Sequence, residues 1–132
     1  MKVFISHSHT DRESIRELVD ELAREGHQVW YDEAELEPGD NFAAKVGKAI
    51  ESAQAMIVVL SEESSKSPWV QREIDYALGS PKYKHRVVTV LADRKAEVPW
   101  ILRRFPVVEV RKGDFAEAGK RVAEGLREVA AP

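Results

Sequence analysis

The sequence predicts an α/β fold: a doubly wound, five-stranded parallel sheet with helices on both faces, forming one domain over residues 1–132. Three observations lead there. Short apolar runs alternate along the chain with segments of helical periodicity, the pattern of repeated β-α-β units. The run Ala55-Met56-Ile57-Val58-Val59-Leu60 has no polar alternation, as expected of a central strand covered on both faces. A length of 132 residues supports one sizeable core and leaves little room for a second.

Val3-Phe4-Ile5 opens the chain as the first strand. Thr10 and Glu13 have the spacing of a capping box, and Ile15, Leu18, Val19, Leu22 and Ala23 then recur at helical intervals until Gly26 ends the helix. Val29-Trp30-Tyr31 is the second strand; an acidic loop from Asp32 to the Pro38-Gly39 turn follows, with Asp40 as cap to a helix carrying Phe42, Val46, Ala49 and Ile50. Residues 55–60 form the third strand. Ser67 caps the next helix and Pro68 takes its first position, with Val70, Ile74, Ala77 and Leu78 as its core stripe. Val87 to Leu91 is the fourth strand, Pro99 to Leu102 a brief helix, and Val107-Val108 with Val110 a short fifth strand at an edge. Asp114 caps a last helix built on Phe115, Val122, Leu126 and Val129.

Right-handed crossovers leave few arrangements of such elements, and the flavodoxin-like order 2-1-3-4-5 is the one expected. In it the ligand crevice opens beyond the carboxyl ends of strands one and three, where the strand order reverses. The loops Ser6-His7-Ser8-His9 and Ser61-Glu62-Glu63-Ser64 border that crevice.

Composition excludes several classes of partner. With 20 Lys+Arg against 23 Asp+Glu, the formal charge of −3 recruits neither nucleic acid nor an anionic membrane, so neither is expected as a partner. The basic stretch Lys82-Tyr83-Lys84-His85-Arg86, with Lys45 and Lys48, is a small footprint and reads as a solvated turn. There is no cysteine, hence no disulfide framework and no thiolate zinc site. No apolar segment approaches the roughly 20 residues that span a bilayer, and the chain opens with a strand rather than a signal peptide, so the cytoplasm is the expected compartment.

The crevice loops also exclude chemistries. A phospho-accepting receiver needs acidic residues at the ends of strands one and three, where Ser6, His7 and Ser61 stand instead. Neither the P-loop pattern nor G-x-G-x-x-G occurs among the 7 glycines. His7-Ser8-His9-Thr10-Asp11 matches H-x-H-x-D, but Arg12 follows it and only His27 and His85 remain elsewhere, so no catalytic metal site is expected. Trp69 and Glu73 stand four residues apart on one side of the helix beside the crevice, just off its core stripe. Taken alone, Glu73 reads as an exposed helical charge paired with Arg72 or Lys66, and Trp69 equally as a packing residue or an aromatic platform.

Taken together, these segments resemble the Toll/interleukin-1 receptor (TIR) domain family, bacterial type, over nearly the whole sequence. Val3-Phe4-Ile5-Ser6-His7-Ser8 resembles the first family box. Val29-Trp30-Tyr31-Asp32, Leu36-Glu37 and Pro38-Gly39-Asp40 resemble the second strand and its Pro-Gly loop. Ile57 to Ser61 followed by Ser67-Pro68-Trp69-Val70 and Glu73 resembles the third strand and the W-x-x-x-E helix. The third box, an F-W pair, is degenerate around Val98-Pro99-Trp100.

The resemblance implies cleavage of NAD⁺ at the nicotinamide–ribose bond, by hydrolysis or cyclisation, in bacterial immune signalling. NAD⁺ is then a substrate, and no cofactor is expected. The family's helix glutamate falls on Glu73, and Glu37 falls on an acidic position that supports substrate binding. Phe4, Ser6 and His7 would line the crevice mouth; Ser6 and Ser61 would hydrogen-bond ribose or phosphate, and Trp69 would stack on an aromatic ring. Other TIR domains, by homotypic self-association, and a sensor or fused effector domain are the implied protein partners. The alternative is a non-catalytic interaction module that docks through the loop from Asp32 to Asp40.

Overall fold

The computed structural model describes residues 1–7, 12–31, 42–62, 64, 68–79, 86–93 and 95–130. Within them five strands form one parallel sheet in the order β2-β1-β3-β4-β5: β1 (Lys2–Ser6), β2 (Gln28–Tyr31), β3 (Ala55–Leu60), β4 (Val87–Leu91) and β5 (Val107–Glu109). Four helices connect or follow them: α1 (Arg12–Arg24), α2 (Phe42–Ser52), α3 (Pro68–Leu78) and α4 (Phe115–Ala130). The expected strand order is the one observed. The expected caps at Thr10, Asp40 and Ser67 lie outside the described residues, as do Lys82 to His85.

The strand alternation sorts side chains into two cores. Val3, Ile5, Ile57, Val59, Val88 and Val90 meet α1 and α4 through Ile15, Leu18, Leu22, Val122 and Leu126. Phe4, Met56, Val58, Leu60 and Val87 meet α2, α3 and the segment between β4 and β5 through Ile50, Val70, Ile74, Leu102 and Phe105. All of β3 is buried, which is why it carries no polar residue. A fully buried aliphatic side chain here contributes about 1.5–3 kcal/mol, so this strand is the main apolar investment of the fold.

Helix α1 ends as its sequence dictates. Gly26 adopts φ +91°, its amide donates to the Ala23 carbonyl and the His27 amide to the Leu22 carbonyl, the double closure that a left-handed residue permits. Ala23, expected in the core stripe of α1, is exposed; Glu21 is buried in its stead because Gly119 of α4 lets the two helices approach there. At the start of α4, Asp114 accepts from the Glu117 amide at 3.0 Å, the expected cap. The brief helix before β5 is a 3₁₀ turn over Trp100–Leu102, anchored by buried Leu102 and leaving Trp100 79% exposed. No helix among the described residues is long and apolar enough to cross a membrane.

Candidate active site

Strand β1 lies between β2 and β3 and ends at Ser6, paired in register with Val58, at the carboxyl edge of the sheet where the strand order reverses. Because side chains alternate along a strand, Ser6 projects to the same side as Phe4, towards α3. There its hydroxyl donates to Glu73 Oε1 at 2.8 Å, a contact between residues 67 positions apart in sequence. Ser6 is 0% and Glu73 3% exposed. A carboxylate this deep requires hydrogen-bond donors to offset its lost hydration, and Ser6 supplies one.

The depth of Glu73 corrects two expectations. It lies within the buried stripe of α3, between Val70 and Ile74, rather than just off it. It is likewise no exposed helical charge, whereas Arg72 beside it is exposed. The physical reason is opposite the helix: the small Ser6 ends the strand beneath α3 and leaves room for a carboxyl group where a larger apolar residue would fill the space.

Phe4 also requires correction as a residue lining the crevice. It is 0% exposed and stacked on Trp30 with ring centroids 5.2 Å apart, inside the core under α2 and α3. One strand repeat back from Ser6, it forms part of the floor and offers no surface to a ligand. His7 turns away from Ser6: it is buried, its ring centroid 6.3 Å from that of Tyr31 on β2. The structure thus brings Ser6 and Glu73 together and sends His7 towards the neighbouring strand.

Ser61, after β3, is part of a tight turn. Its amide donates to Ser64 Oγ at 2.7 Å, its Oγ accepts from the Ser64 amide at 3.1 Å, and Ser64 Oγ donates to its carbonyl at 3.1 Å. Trp69 lies in the first turn of α3, four residues before Glu73, and its side chain lies outside the described residues. Glu37, with the whole stretch 32–40, also lies outside them.

Two residues organise the rim: Ser64, expected only as part of a bordering loop, and Asp93, which the expected site did not include. Ser64 closes the turn just described. Asp93, after β4, accepts from the Lys95 amide at 2.6 Å and the Glu62 amide at 3.2 Å, tying the loops after β3 and β4 together. Those two backbone donors, Lys95 first, hold its carboxyl below the usual range. The signals were present as a serine repeated at i+3 and an aspartate closing an apolar strand, both habitual turn builders. Among the described residues no three His, Cys, Asp or Glu side chains converge as a metal would need; His9 and Asp11 lie outside them.

Comparison with known proteins identifies the family. The family model described as TIR domain matches residues 3–123. The chain is 40% identical over 74 residues to the NAD(+) hydrolase TcpA of Theionarchaea archaeon (strain DG-70-1), covering 55% of this chain and 22% of that protein. It is 32% identical over 96 residues to the probable 2′ cyclic ADP-D-ribose synthase TcpO of Methanobrevibacter olleyae, covering 72% of this chain and 28% of that protein. The matched segments therefore span about a quarter of the length of these curated relatives. Among solved structures, the TIR domain of the Toll-related receptor TRR-2 from Hydra magnipapillata superposes with a TM-score of 0.76 at 25% identity, over 98% of both chains. With its strand order and a family match over nearly its whole length, the chain belongs to the TIR domain family.

Proposed function

We propose that this TIR domain cleaves NAD⁺ at the nicotinamide–ribose bond, with Glu73 as its catalytic carboxylate. The observation that carries the reading is the buried Glu73 side chain, fixed by Ser6 where the strand order reverses. The names of the relatives, an NAD(+) hydrolase and a probable 2′ cyclic ADP-D-ribose synthase, supply the substrate.

One carboxylate suffices for this bond. Nicotinamide is attached to ribose as a pyridinium, so it leaves with the bonding electron pair as a neutral molecule and needs no general acid, unlike the two-carboxylate glycosidases. What requires help is the oxocarbenium-like C1′. A fixed carboxylate against the ribose hydroxyls stabilises that developing charge, and in a water-poor site its effect is large. Water adding to C1′ gives ADP-ribose and releases a proton; a hydroxyl of the same substrate gives the cyclic product. Glu73 is suited to accept that proton in either case. Trp69 is the proposed stacking platform, and His7, Ser61 and Glu37 border the substrate; Phe4 supports the floor from within the core.

Self-association with other TIR domains is part of the proposal, as is control by a sensor or effector region: the matched segments make up 22% and 28% of these relatives, which have chain beyond them to supply one. A cytoplasmic site of action, without nucleic acid or membrane as partner, completes it. The exposed Trp100 favours a second reading, an interaction module without turnover, because exposed tryptophans are over-represented in protein interfaces. Glu73→Ala separates the two. Under the first, NAD⁺ consumption disappears while light scattering shows unchanged self-association; under the second, signalling through the domain survives the substitution.

A further inference from the structure

The geometry points to Ser6 as the positioning residue for Glu73, acting on the reaction through that carboxylate instead of contacting substrate. This rests on the reading of Glu73 as the group that acts on NAD⁺. The expected role of Ser6 was a hydrogen bond to ribose or phosphate, and its surroundings argue otherwise. Its side chain has no exposed surface, and its hydroxyl is already donated to Glu73 Oε1 at 2.8 Å. Its backbone is fixed in β1, between β2 and β3, with Ser6 in register with Val58.

A serine in that setting is well suited to orient a carboxylate. It has one side-chain torsion to order, so little entropy opposes the bond. The terminal torsion of a glutamate is by contrast broad and two-fold, and a donor at a fixed point on Oε1 sets the plane in which the carboxylate meets its substrate. Misplacement of a reacting group by about 1 Å can cost a hundredfold in rate. Residue 6 therefore affects how well Glu73 is aimed, and leaves substrate affinity alone.

The test is a kinetic cycle with NAD⁺, using Ser6→Ala, Ser6→Thr, Glu73→Gln and the double variant Ser6→Ala/Glu73→Gln, each checked for folding by circular dichroism. Ser6→Ala is expected to lower kcat by roughly tenfold to a hundredfold with KM within about twofold, and Ser6→Thr, which keeps the hydroxyl, to recover most of it. In the Glu73→Gln background Ser6→Ala should cost nothing further, because the two residues act as a unit. A raised KM with unchanged kcat, or the same fold-loss with and without Glu73, would overturn the inference and make Ser6 a substrate contact. If Glu73→Gln itself releases nicotinamide at the wild-type rate, the proposed function fails first. The cycle distinguishes the two failures.

Discussion

Ser64 Oγ sits between the amide and the carbonyl of Ser61, accepting from one and donating to the other, while Ser61 Oγ takes the Ser64 amide in return. Both residues are buried, so these polar groups have no water to fall back on. This closure fixes the turn by which the chain leaves the central strand. Ser64→Ala should lower stability by about 1–2 kcal/mol, read as a lower urea midpoint without a change in slope.

A second prediction concerns the packing of α1 on α4. A Cβ at Gly119 would lie 2.7 Å from Glu21 Cβ and 3.0 Å from its Cγ, a clash with atoms held close to the α1 backbone. At Gly125 the closest atoms are Val88 methyls at 3.4 and 3.5 Å, ordinary contact. Gly119→Ala should therefore destabilise by about 1–3 kcal/mol through overpacking, despite the better helix propensity of alanine. Gly125→Ala should be neutral or stabilising by up to about 1 kcal/mol. Thermal melts of the two variants side by side check both signs.

Phe4 gives a test of floor against lining. Phe4→Leu keeps an apolar side chain in the core but loses the stack on Trp30. It should cost about 1–2 kcal/mol of stability and leave the KM for NAD⁺ within about twofold. A large rise in KM at unchanged stability would return Phe4 to the ligand surface.

Acid sensitivity follows from two carboxyl groups. Asp93 is held below the usual range by the backbone amides of Lys95 and Glu62, and Glu117 by the side-chain hydrogen bond from Arg121, at 2.7 Å. Each binds protons less readily folded than unfolded, so stability rises with pH across their titration. Their contributions are complete above the unfolded values of about 4 and vanish as pH falls through the lower folded values. Urea unfolding between about pH 2 and 6 should show this loss, and Asp93→Asn with Glu117→Gln should flatten it.

The sheet was legible because its information is local: an unbroken apolar run in β3 states that both faces are covered, and the intervening helical periodicities make the connections parallel. That Glu73 stands on the helix following β3 was legible for the same reason. Its depth was not, since helical spacing gives an angle around α3 but not what lies opposite; that depended on Ser6, 67 residues earlier. Ala23 failed in the same way, because the approach of α1 to α4 turns on Gly119. Phe4 was given a surface it does not have, and the turn built on Ser61 went unread. Strand alternation already put Phe4 in the floor, and the serine three residues after Ser61 already signalled a turn.

Release of nicotinamide by the wild-type chain and by Glu73→Gln decides whether the Glu73 carboxylate carries the reaction. The two proteins are incubated with NAD⁺ at the same high protein concentration, with matched melting temperatures, and free nicotinamide is followed by chromatography. Loss of the carboxylate charge at nearly constant shape should lower the rate by roughly a hundredfold or more. Equal nicotinamide release by the two proteins would contradict it.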